Sequence, residues 1–380
     1  MQPRIVYIVT EDWYFLSHRL PMARAAKSAG FDVHVLCRMS HGRAAIEAEG
    51  FAAHPLGWSR GSVSPAGNAR AVAEIRRKLA EIAPEIVHNV AMKPALLGSV
   101  AAALWRPRVP VVSSITGVGS AFLSRSLAGR LAKGALGRTL AGLLNRHSAR
   151  AVVQNPDDQA LLTGLGVRPG NIVLIAGSGV DTVALSPAAE LLAPPVRVSF
   201  VGRMLEDKGV RPLVEAHRLL RQRGLPIELL LAGEPDPENP TSIAKGELEG
   251  WAREPGITWA GHVSDIAKLW AESHIAVLPS RREGLPKSLL EAAACGRPMV
   301  ATDAPGCREV AVPDATGFLV PIDDAIALAD AIARLAGDAE LRARLGANAR
   351  RLAVARFSGD AIGAETVALY RSLIGGTGKG

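Results

Sequence analysis

Cysteines, aromatic residues and long apolar runs are scarce in this chain. Its 380 residues include three cysteines, Cys37, Cys295 and Cys307, and 4% aromatic residues. The cysteines are odd in number and lack metal-ligand spacing, so reduced thiols are expected rather than a disulfide framework or a zinc site. No apolar run approaches the length of a membrane span, and the N-terminus has neither the apolar core nor the cleavage site of a signal peptide. These absences predict a cytoplasmic globular protein.

Acidic residues are missing from a long stretch of the first half. No Asp or Glu occurs between Glu85 and Asp157, where nine Lys and Arg residues fall. Residues 1–183 carry 21 Lys and Arg against 11 Asp and Glu, a net charge of +10, whereas the remainder carries −2, which together give the +8 of the whole chain.

The basic, Leu-rich segment 122–146 has three interpretations. It could lie on an anionic membrane surface, bind nucleic acid, or form an ordinary solvated helix. Because aromatic residues are few and no nucleic-acid-binding module is present, we favour the membrane among the binding functions and expect no nucleic-acid partner. The predicted location is cytoplasmic, peripherally bound to the inner face of the cytoplasmic membrane.

What the chain does contain is a repeated alternation of strand and helix signals. A length of 380 residues with 48% hydrophobic content suits two domains of moderate size. Short apolar strands, the first at residues 5–9, alternate with helices such as those at 16–29 and 210–223. The alternation predicts two doubly wound α/β domains with parallel sheets, residues 1–183 and 184–357, whose ligands bind at the carboxyl ends of the strands.

The most informative motif lies in the second half, where residues 281–296 read RREGLPKSLLEAAACG. Pro286 suits the first turn of a helix and Gly296 suits its end, so a loop carrying Glu283 should open into a short helix carrying Glu291. The start of that helix could receive a phosphate. Glu291 stands among Leu and Ala and should be half-buried with a polar partner. The alternative is that both glutamates are solvated.

A basic pair precedes this motif. Arg203 and Lys208 lie in a turn that follows a predicted strand and precedes a predicted helix. Arg203 offers a planar fork and Lys208 a compact ammonium, and the short turn would let both reach one diphosphate. Surface arginines are common, so this turn alone is weak evidence for a site.

Residues 279–298, 300–303 and 306–309 closely resemble, in order, the donor-sugar signature of glycosyltransferase family four. The turn at 202–209 resembles the Gly-Arg…Lys-Gly element of the same family. The resemblance implies a GT-B fold, in which two Rossmann-like domains face across a cleft and the last helix, about residues 358–380, crosses back onto the first domain. It also implies a retaining enzyme that needs no metal and no other cofactor.

The resemblance implies roles for individual residues. Arg203 and Lys208 would neutralise the departing nucleotide diphosphate, Glu283 would hold sugar hydroxyls, and Glu291 would hold the ribose. Further predicted donor contacts in the motif region are Gly284, Leu285, Pro286, Lys287 and Glu309.

Candidate ligand contacts in the first domain are less specific. Gly117 and Gly119 follow a predicted strand. Because glycine has no side chain, the backbone at these positions could approach a phosphate or an acceptor closely. Many family members carry a histidine in this loop, whereas this chain has Thr116-Gly117; the glycine-rich form resembles the bacterial branch acting on undecaprenyl-diphosphate-linked sugars in capsule and O-antigen assembly. His18 and His88 could contact substrate hydroxyls or satisfy a local hydrogen bond.

The predicted activity is transfer of a hexose or N-acetylhexosamine from a nucleotide diphosphate donor, with a UDP-sugar favoured, to a lipid-linked saccharide. The sequence is also compatible with two alternatives. One is a GT-B epimerase that converts the sugar nucleotide without an acceptor. The other is a non-catalytic saccharide-binding protein of the same fold.

Overall fold

The computed structural model describes residues 2–58, 64–116, 127–191 and 194–375. The chain divides into two compact units, one of Met1–Gly179 with Gly359–Gly380 and one of Val180–Ser358. Gly117 and Gly119, together with residues 122–126 of the basic segment, lie outside the described residues. Within the described part, no helix has the length and apolar character needed to cross a membrane.

Unit 1 is a parallel α/β unit. Its elements are β1 (Arg4–Glu11), α1 (Asp12–His18), α2 (Leu20–Ser28), β2 (Asp32–Arg38), α3 (Arg43–Ala48), β3 (Ala52–Pro55), α4 (Pro65–Ile82), β4 (Ile86–Val90), α5 (Met92–Trp105), β5 (Val111–Ser114), α6 (Leu127–Leu144), β6 (Ala149–Val153), α7 (Pro156–Gly164) and β7 (Ile172–Leu174).

The seven strands of unit 1 pair in the order β3-β2-β1-β4-β5-β6-β7, all parallel. Alternation along β1 shows why both faces are covered. Tyr7 points into the core that contains Phe15, whereas Ile8 points into the opposite core with Ile75. A strand buried on both faces must be apolar at successive positions, as β1 is.

Unit 1 also contains the C-terminal helix α14 (Gly359–Gly375). Its buried residues Ile362 and Tyr370 join the core that contains Tyr7. A Cβ atom at Gly363 would lie 2.6 Å from Cβ of Ala25, so only glycine lets α14 approach α2 this closely.

The helix expected at residues 16–29 is two helices, and this part of the prediction is wrong. The backbone breaks at Arg19, where φ is −125° and ψ is −9°. Pro21 explains the break, because proline has no N–H to donate to the carbonyl of residue 17. The first helix begins earlier than expected, directly after β1.

Unit 2 is a second parallel α/β unit. Its elements are β8 (Val196–Val201), α8 (Val210–Gln222), β9 (Ile227–Ala232), α9 (Lys245–Trp251), β10 (Ile257–Gly261), α10 (Ile266–Ala271), β11 (Ile275–Leu278), α11 (Lys287–Ala294), β12 (Met299–Thr302), β13 (Gly317–Val320), α12 (Ala325–Ala336) and α13 (Ala339–Leu352). The six strands pair in parallel in the order β10-β9-β8-β11-β12-β13.

The predicted fold class, two doubly wound parallel-sheet α/β domains, is confirmed. The sequence patterns missed β3, β7, β12 and β13, which are three or four residues long. Such short strands carry too few residues for a clear hydrophobic period, and pairing with a neighbouring strand defines them instead.

Candidate active site

The two motifs of the second half meet at the centre of the unit 2 sheet. Strand β8 leads into the turn that carries Arg203 and Lys208, and β11 leads into the loop that carries Glu283. These strands are neighbours, and the strand order reverses between them. In open α/β sheets, ligands bind outside the carboxyl ends of the strands at such a reversal. The topology therefore places both motifs where a ligand site is expected.

A direct contact joins the two motifs. The Lys208 ammonium Nζ lies 2.5 Å from Oε1 of Glu283, and both side chains are largely shielded from solvent, at 21% and 12% exposure. A shielded ion pair is screened less by water than a surface pair. Lys208, which is predicted to bind phosphate, and Glu283, which is predicted to bind sugar hydroxyls, are thus adjacent.

Ser280 holds the same carboxylate oxygen. This fully buried residue donates from Oγ to Glu283 Oε1 over 2.6 Å. Thr302, the last residue of β12, donates to the carbonyl oxygen of Ser280 and so fixes the start of the loop. Oε1 accepts from two donors, while Oε2 of Glu283 accepts no hydrogen bond from any residue within the described ranges. The second oxygen is therefore the one available to a ligand.

Two glycines allow the loops to pack this closely. Gly209 has φ of +71°, and a Cβ atom there would lie 2.0 Å from the carbonyl oxygen of Pro279, at the end of β11. Gly306 has φ of +77°, and its Cβ would lie 2.5 Å from the carbonyl oxygen of Gly284 and 2.8 Å from that of Glu283. Both positions require a left-handed backbone and the absence of a side chain.

Arg203 is held differently from Lys208. Its guanidinium Nη1 lies 2.6 Å from Oδ2 of Asp236, and its side chain is about half exposed. Asp236 belongs to the acidic, proline-rich loop of residues 234–240, which follows β9. The backbone of this loop also accepts a hydrogen bond at Glu234 from Met204 over 3.0 Å. The loop thus orients Arg203.

Across the described residues, no group of three or more His, Cys, Asp or Glu side chains could hold a metal ion.

Glu291 is buried, at 6% exposure, and its Oε1 lies 3.0 Å from the ammonium Nζ of Lys287. Burial raises the pKa of its carboxyl group above the ordinary value, while the neighbouring Lys287 ammonium opposes the shift. Helix α11 begins at Lys287, one residue later than expected, so Pro286 is the residue before the helix. Pro286 contributes no side-chain cap, and the first N–H groups of a helix have no partner within it.

A pH-dependent stability difference should follow from Glu291. Because its pKa in the folded protein lies above 4.5, the folded state keeps a proton that the unfolded chain has already lost, and the stability contribution of this carboxyl falls as pH rises. The variant Glu291→Gln cannot titrate. Its melting temperature relative to the wild type should therefore increase between about pH 4 and pH 7. Glu249→Gln, which removes an exposed carboxylate of the same unit, is the control, and a difference that fell with pH would contradict this account.

The other motif residues have distinct surroundings. Leu285 is buried in unit 2, and Gly284 packs against Gly306. Glu309 is half-buried, and its carboxylate makes no ion pair within the described ranges. Burial raises the pKa of the Cys295 thiol to about 11 and that of Cys307 further still, which suits buried packing residues rather than reactive thiols.

The two candidate histidines of unit 1, His88 and His18, have different surroundings. His88 is buried, with Nδ1 2.5 Å from the Tyr370 hydroxyl and Nε2 2.7 Å from Oγ of Ser114. Burial and the nearby Arg19 cation lower its pKa well below the ordinary value. The local hydrogen-bonding alternative thus accounts for His88.

His18 lies at the carboxyl end of the sheet, after β1. Its ring stacks flat on Tyr14, with centroids 4.3 Å apart and 8° between the planes, and its Nδ1 is 2.6 Å from Oγ of Ser17. The Tyr14 hydroxyl is 3.2 Å from Oγ1 of Thr116, the residue before the Gly117 loop. His18 is therefore among groups that could contact a ligand.

Sequence reasoning missed Ser280, Asp236 and Tyr14. Ser280 directly follows β11 and stands three residues before Glu283, a position that could have suggested a role. Nothing in the sequence pairs Asp236 with Arg203 or Tyr14 with Thr116, because those contacts form only when separate loops meet.

Family models match both halves of the chain. The family described as "Glycosyl transferases group 1" matches residues 195–338, and the family described as "Glycosyl transferase 4-like" matches residues 4–151. The two matches fall one in each unit and together cover most of the chain.

Curated relatives include two bacterial glycosyltransferases. One is an N,N'-diacetylbacillosaminyl-diphospho-undecaprenol alpha-1,3-N-acetylgalactosaminyltransferase of Campylobacter jejuni, 24% identical over 95% of this chain and 98% of the relative. Another is the capsular polysaccharide biosynthesis glycosyltransferase CapM of Staphylococcus aureus, 29% identical over 47% of this chain and 46% of the relative. The chain spans about half the length of most curated relatives that it matches and nearly all of the Campylobacter enzyme.

Solved structures share the fold over nearly the whole chain. Sucrose-phosphate synthase of Thermosynechococcus elongatus has a TM-score of 0.81 at 21% identity, covering 99% of this chain and 100% of that one. Anabaena HepE, solved in complex with UDP and glucose, has a TM-score of 0.76 at 18% identity, covering 97% and 99%. With both halves matched by family and by fold, this chain belongs to the group 1 and family 4-like glycosyltransferases and has the GT-B fold.

Proposed function

We propose that this glycosyltransferase moves a hexose or N-acetylhexosamine from a UDP-sugar to an undecaprenyl-diphosphate-linked saccharide, with retention of anomeric configuration, in the assembly of a cell-surface glycan. One observation carries the proposal. The contact between Lys208 and Glu283 sets a diphosphate-binding cation beside a carboxylate suited to sugar hydroxyls, as a sugar nucleotide requires. The names of the Campylobacter and Staphylococcus relatives support the acceptor and the pathway class.

The phosphate side of the site stabilises the leaving group. Bond cleavage leaves negative charge on the nucleotide diphosphate, and prearranged cations aimed at that charge lower the barrier. An ammonium has three N–H donors, so Lys208 can keep Glu283 and still donate to a phosphate oxygen. Arg203, held by Asp236, supplies a second cation, and the start of α11 offers N–H groups. These groups supply the positive charge, and we propose no metal or other cofactor.

The sugar side positions the reacting carbon. Oε2 of Glu283 would accept from sugar hydroxyls, and the carboxylate would favour the cation-like anomeric centre of the transition state. Retention would follow from attack by the acceptor hydroxyl on the face that the diphosphate leaves, without a covalent enzyme intermediate. Glu291 would hold the ribose, with Lys287 and Glu309 near the same end of the donor.

The test is a panel of nucleotide sugars incubated with a bacterial membrane lipid extract, with nucleotide release and product mass followed. The expected result is UDP release with one sugar added to a lipid-linked saccharide. Conversion of the donor without lipid extract would show an epimerase instead. Absence of turnover with every donor would favour a non-catalytic saccharide-binding protein.

Ser280 should act as a positioning residue for Glu283. The variant Ser280→Ala removes the hydrogen bond to Oε1, so kcat should fall about tenfold, with the donor KM little changed, because the carboxylate loses its orientation rather than its charge. Ser199→Ala is a matched control, since Ser199 is also fully buried and its Oγ bonds Oγ of Ser273 over 2.7 Å. Equal effects of the two variants on kcat would refute the positioning role.

Membrane attachment is a separate part of the proposal. The excess of positive charge in residues 1–183 should draw the enzyme to anionic lipid, with attraction that weakens as salt screens the charges. Binding to liposomes should require phosphatidylglycerol and decrease between about 0.05 and 0.5 M NaCl. Liposome binding that did not change with NaCl concentration, or no binding at all, would contradict this part of the proposal.

A further inference from the structure

An exposed tryptophan stands at the carboxyl end of the unit 1 sheet. Trp13 directly follows β1 in α1, and its side chain is 45% exposed, whereas the other five tryptophans are buried or half-buried. An exposed indole ring leaves apolar surface in water, and a ligand that covers this surface gains the free energy of its burial. Strands β1 and β4 are neighbours at the point where the strand order of unit 1 reverses, which is where ligands bind in such sheets.

Trp13 is the outer member of a row of rings. It meets Tyr14 edge-on, with centroids 5.8 Å apart and 79° between the planes, and Tyr14 in turn stacks on His18. The hydroxyl of Tyr14 contacts Thr116, which lies two residues after β5. We call Trp13, Tyr14 and His18 the aromatic row. It combines apolar ring faces with hydroxyl and imidazole groups.

The backbone beneath the aromatic row is held firmly although Trp13 is exposed. Asp12 is fully buried, and its carboxylate accepts from the backbone N–H of Trp13 over 2.7 Å, from both N–H (2.6 Å) and Oγ (2.6 Å) of Ser40, and from the N–H of Gly42 (2.8 Å). Burial of Asp12 raises its pKa, but these hydrogen bonds outweigh burial and lower it. The backbone that carries the indole is therefore already fixed, so binding a ligand does not incur the entropy cost of ordering this segment.

We propose that the aromatic row binds the saccharide part of the acceptor, with a pyranose ring stacked on Trp13 and its hydroxyls directed to Tyr14, His18 and Thr116. The C–H face of a pyranose is apolar and matches an indole face, while its edge needs hydrogen bonds. This inference rests on the proposed transfer to a saccharide acceptor, and it names the side chains of unit 1 that would contact the sugar rings of that acceptor.

A lipid surface is a less suitable occupant. Insertion into a bilayer requires a group of exposed apolar side chains. Phe15 is buried and Leu16 half-buried, so Trp13 alone in α1 exposes a large apolar side chain. The half-buried residues Tyr14, Ser17 and His18 of the same helix are polar or carry a polar group, which suits hydroxyl-rich ligands better than acyl chains.

The experiment compares the wild type with Trp13→Ala, Trp13→Phe and the control Leu104→Ala, which removes an exposed apolar side chain elsewhere in unit 1. Transfer is measured against a concentration series of purified lipid-linked saccharide. Trp13→Ala should raise the acceptor KM about tenfold, with the donor KM and the melting temperature unchanged, because one stacking contact is lost. Trp13→Phe should recover most of the loss, and Leu104→Ala should match the wild type.

A second readout does not depend on transfer. Saturation-transfer NMR with methyl α-N-acetylgalactosaminide, recorded with saturating UDP to occupy the diphosphate and ribose contacts, should show contact in the wild type and in Leu104→Ala but not in Trp13→Ala. Unchanged acceptor KM or unchanged saturation transfer in Trp13→Ala would overturn the inference. Loss of phosphatidylglycerol vesicle binding by Trp13→Ala, with saccharide contact intact, would also overturn it in favour of lipid. If the wild type transferred no sugar, the proposed function would fail and the NMR result would still decide the inference.

Discussion

Replacing Lys208 with methionine is expected to lower kcat by about 10²- to 10³-fold, the range observed when one group that stabilises transition-state charge is removed. Methionine keeps the approximate length of the side chain and removes the ammonium. Stability should fall as well, because Glu283 at 12% exposure would keep a shielded charge without its cation. Stopped assays of UDP release and thermal unfolding measure the two effects.

A double variant separates these effects. In Lys208→Met/Glu283→Gln neither charge remains, so stability should return toward that of the wild type while turnover stays low. The control is Lys245→Met, since Lys245 forms an exposed pair with Glu249 at 3.8 Å in the same unit. Full transfer activity in Lys208→Met would show that this cation does not stabilise the leaving group.

Arg203→Ala provides a useful contrast. In its pair with Asp236 the Arg203 side chain is 47% exposed and the Asp236 side chain 13%, so water reaches the cation, and pairs screened in this way contribute about 0 to 1 kcal/mol to the free energy of unfolding. We therefore expect Arg203→Ala to reduce turnover with little loss of stability. A variant that kept full turnover would exclude Arg203 from the charge stabilisation proposed here.

Replacing Gly209 with alanine should reduce both stability and turnover. The added Cβ would lie 2.0 Å from the carbonyl oxygen of Pro279, and the left-handed backbone at φ of +71° is itself unfavourable for alanine. Together these effects should lower the free energy of unfolding by about 2 to 5 kcal/mol. The loops after β8 and β11 would move apart, so Lys208 and Glu283 would no longer meet and kcat should fall by at least about tenfold.

The matched control for Gly209→Ala is Gly250→Ala. Gly250 lies in helix α9 with open space where its Cβ would be, so alanine should leave the free energy of unfolding unchanged or raise it by about 0.5 to 1 kcal/mol. Thermal unfolding and UDP-release rates for both variants give the comparison. A Gly209→Ala enzyme with wild-type melting temperature and turnover would show that the close approach to Pro279 is not needed.

Much of the candidate site could be predicted from the sequence because its signals are local. The Gly-Arg…Lys-Gly turn and the 281–296 motif each lie within a short segment, and each segment follows a strand. Strand–turn–helix patterns depend on neighbouring residues, so a single sequence reveals them. The break at Arg19 also has a local cause, Pro21, but the prediction of one helix over 16–29 followed the apolar period and gave that proline too little weight.

By itself, the sequence determined the family, the two-domain α/β class and the segments that carry the donor-site candidates, because those properties reside in short-range patterns. Only the tertiary structure decided the partners: Lys208 with Glu283, Ser280 on the same oxygen, Arg203 with Asp236, and His88 in a buried network. Partner choice depends on strand order and on where a missing Cβ lets two loops approach, and both are set by contacts between residues far apart in the chain.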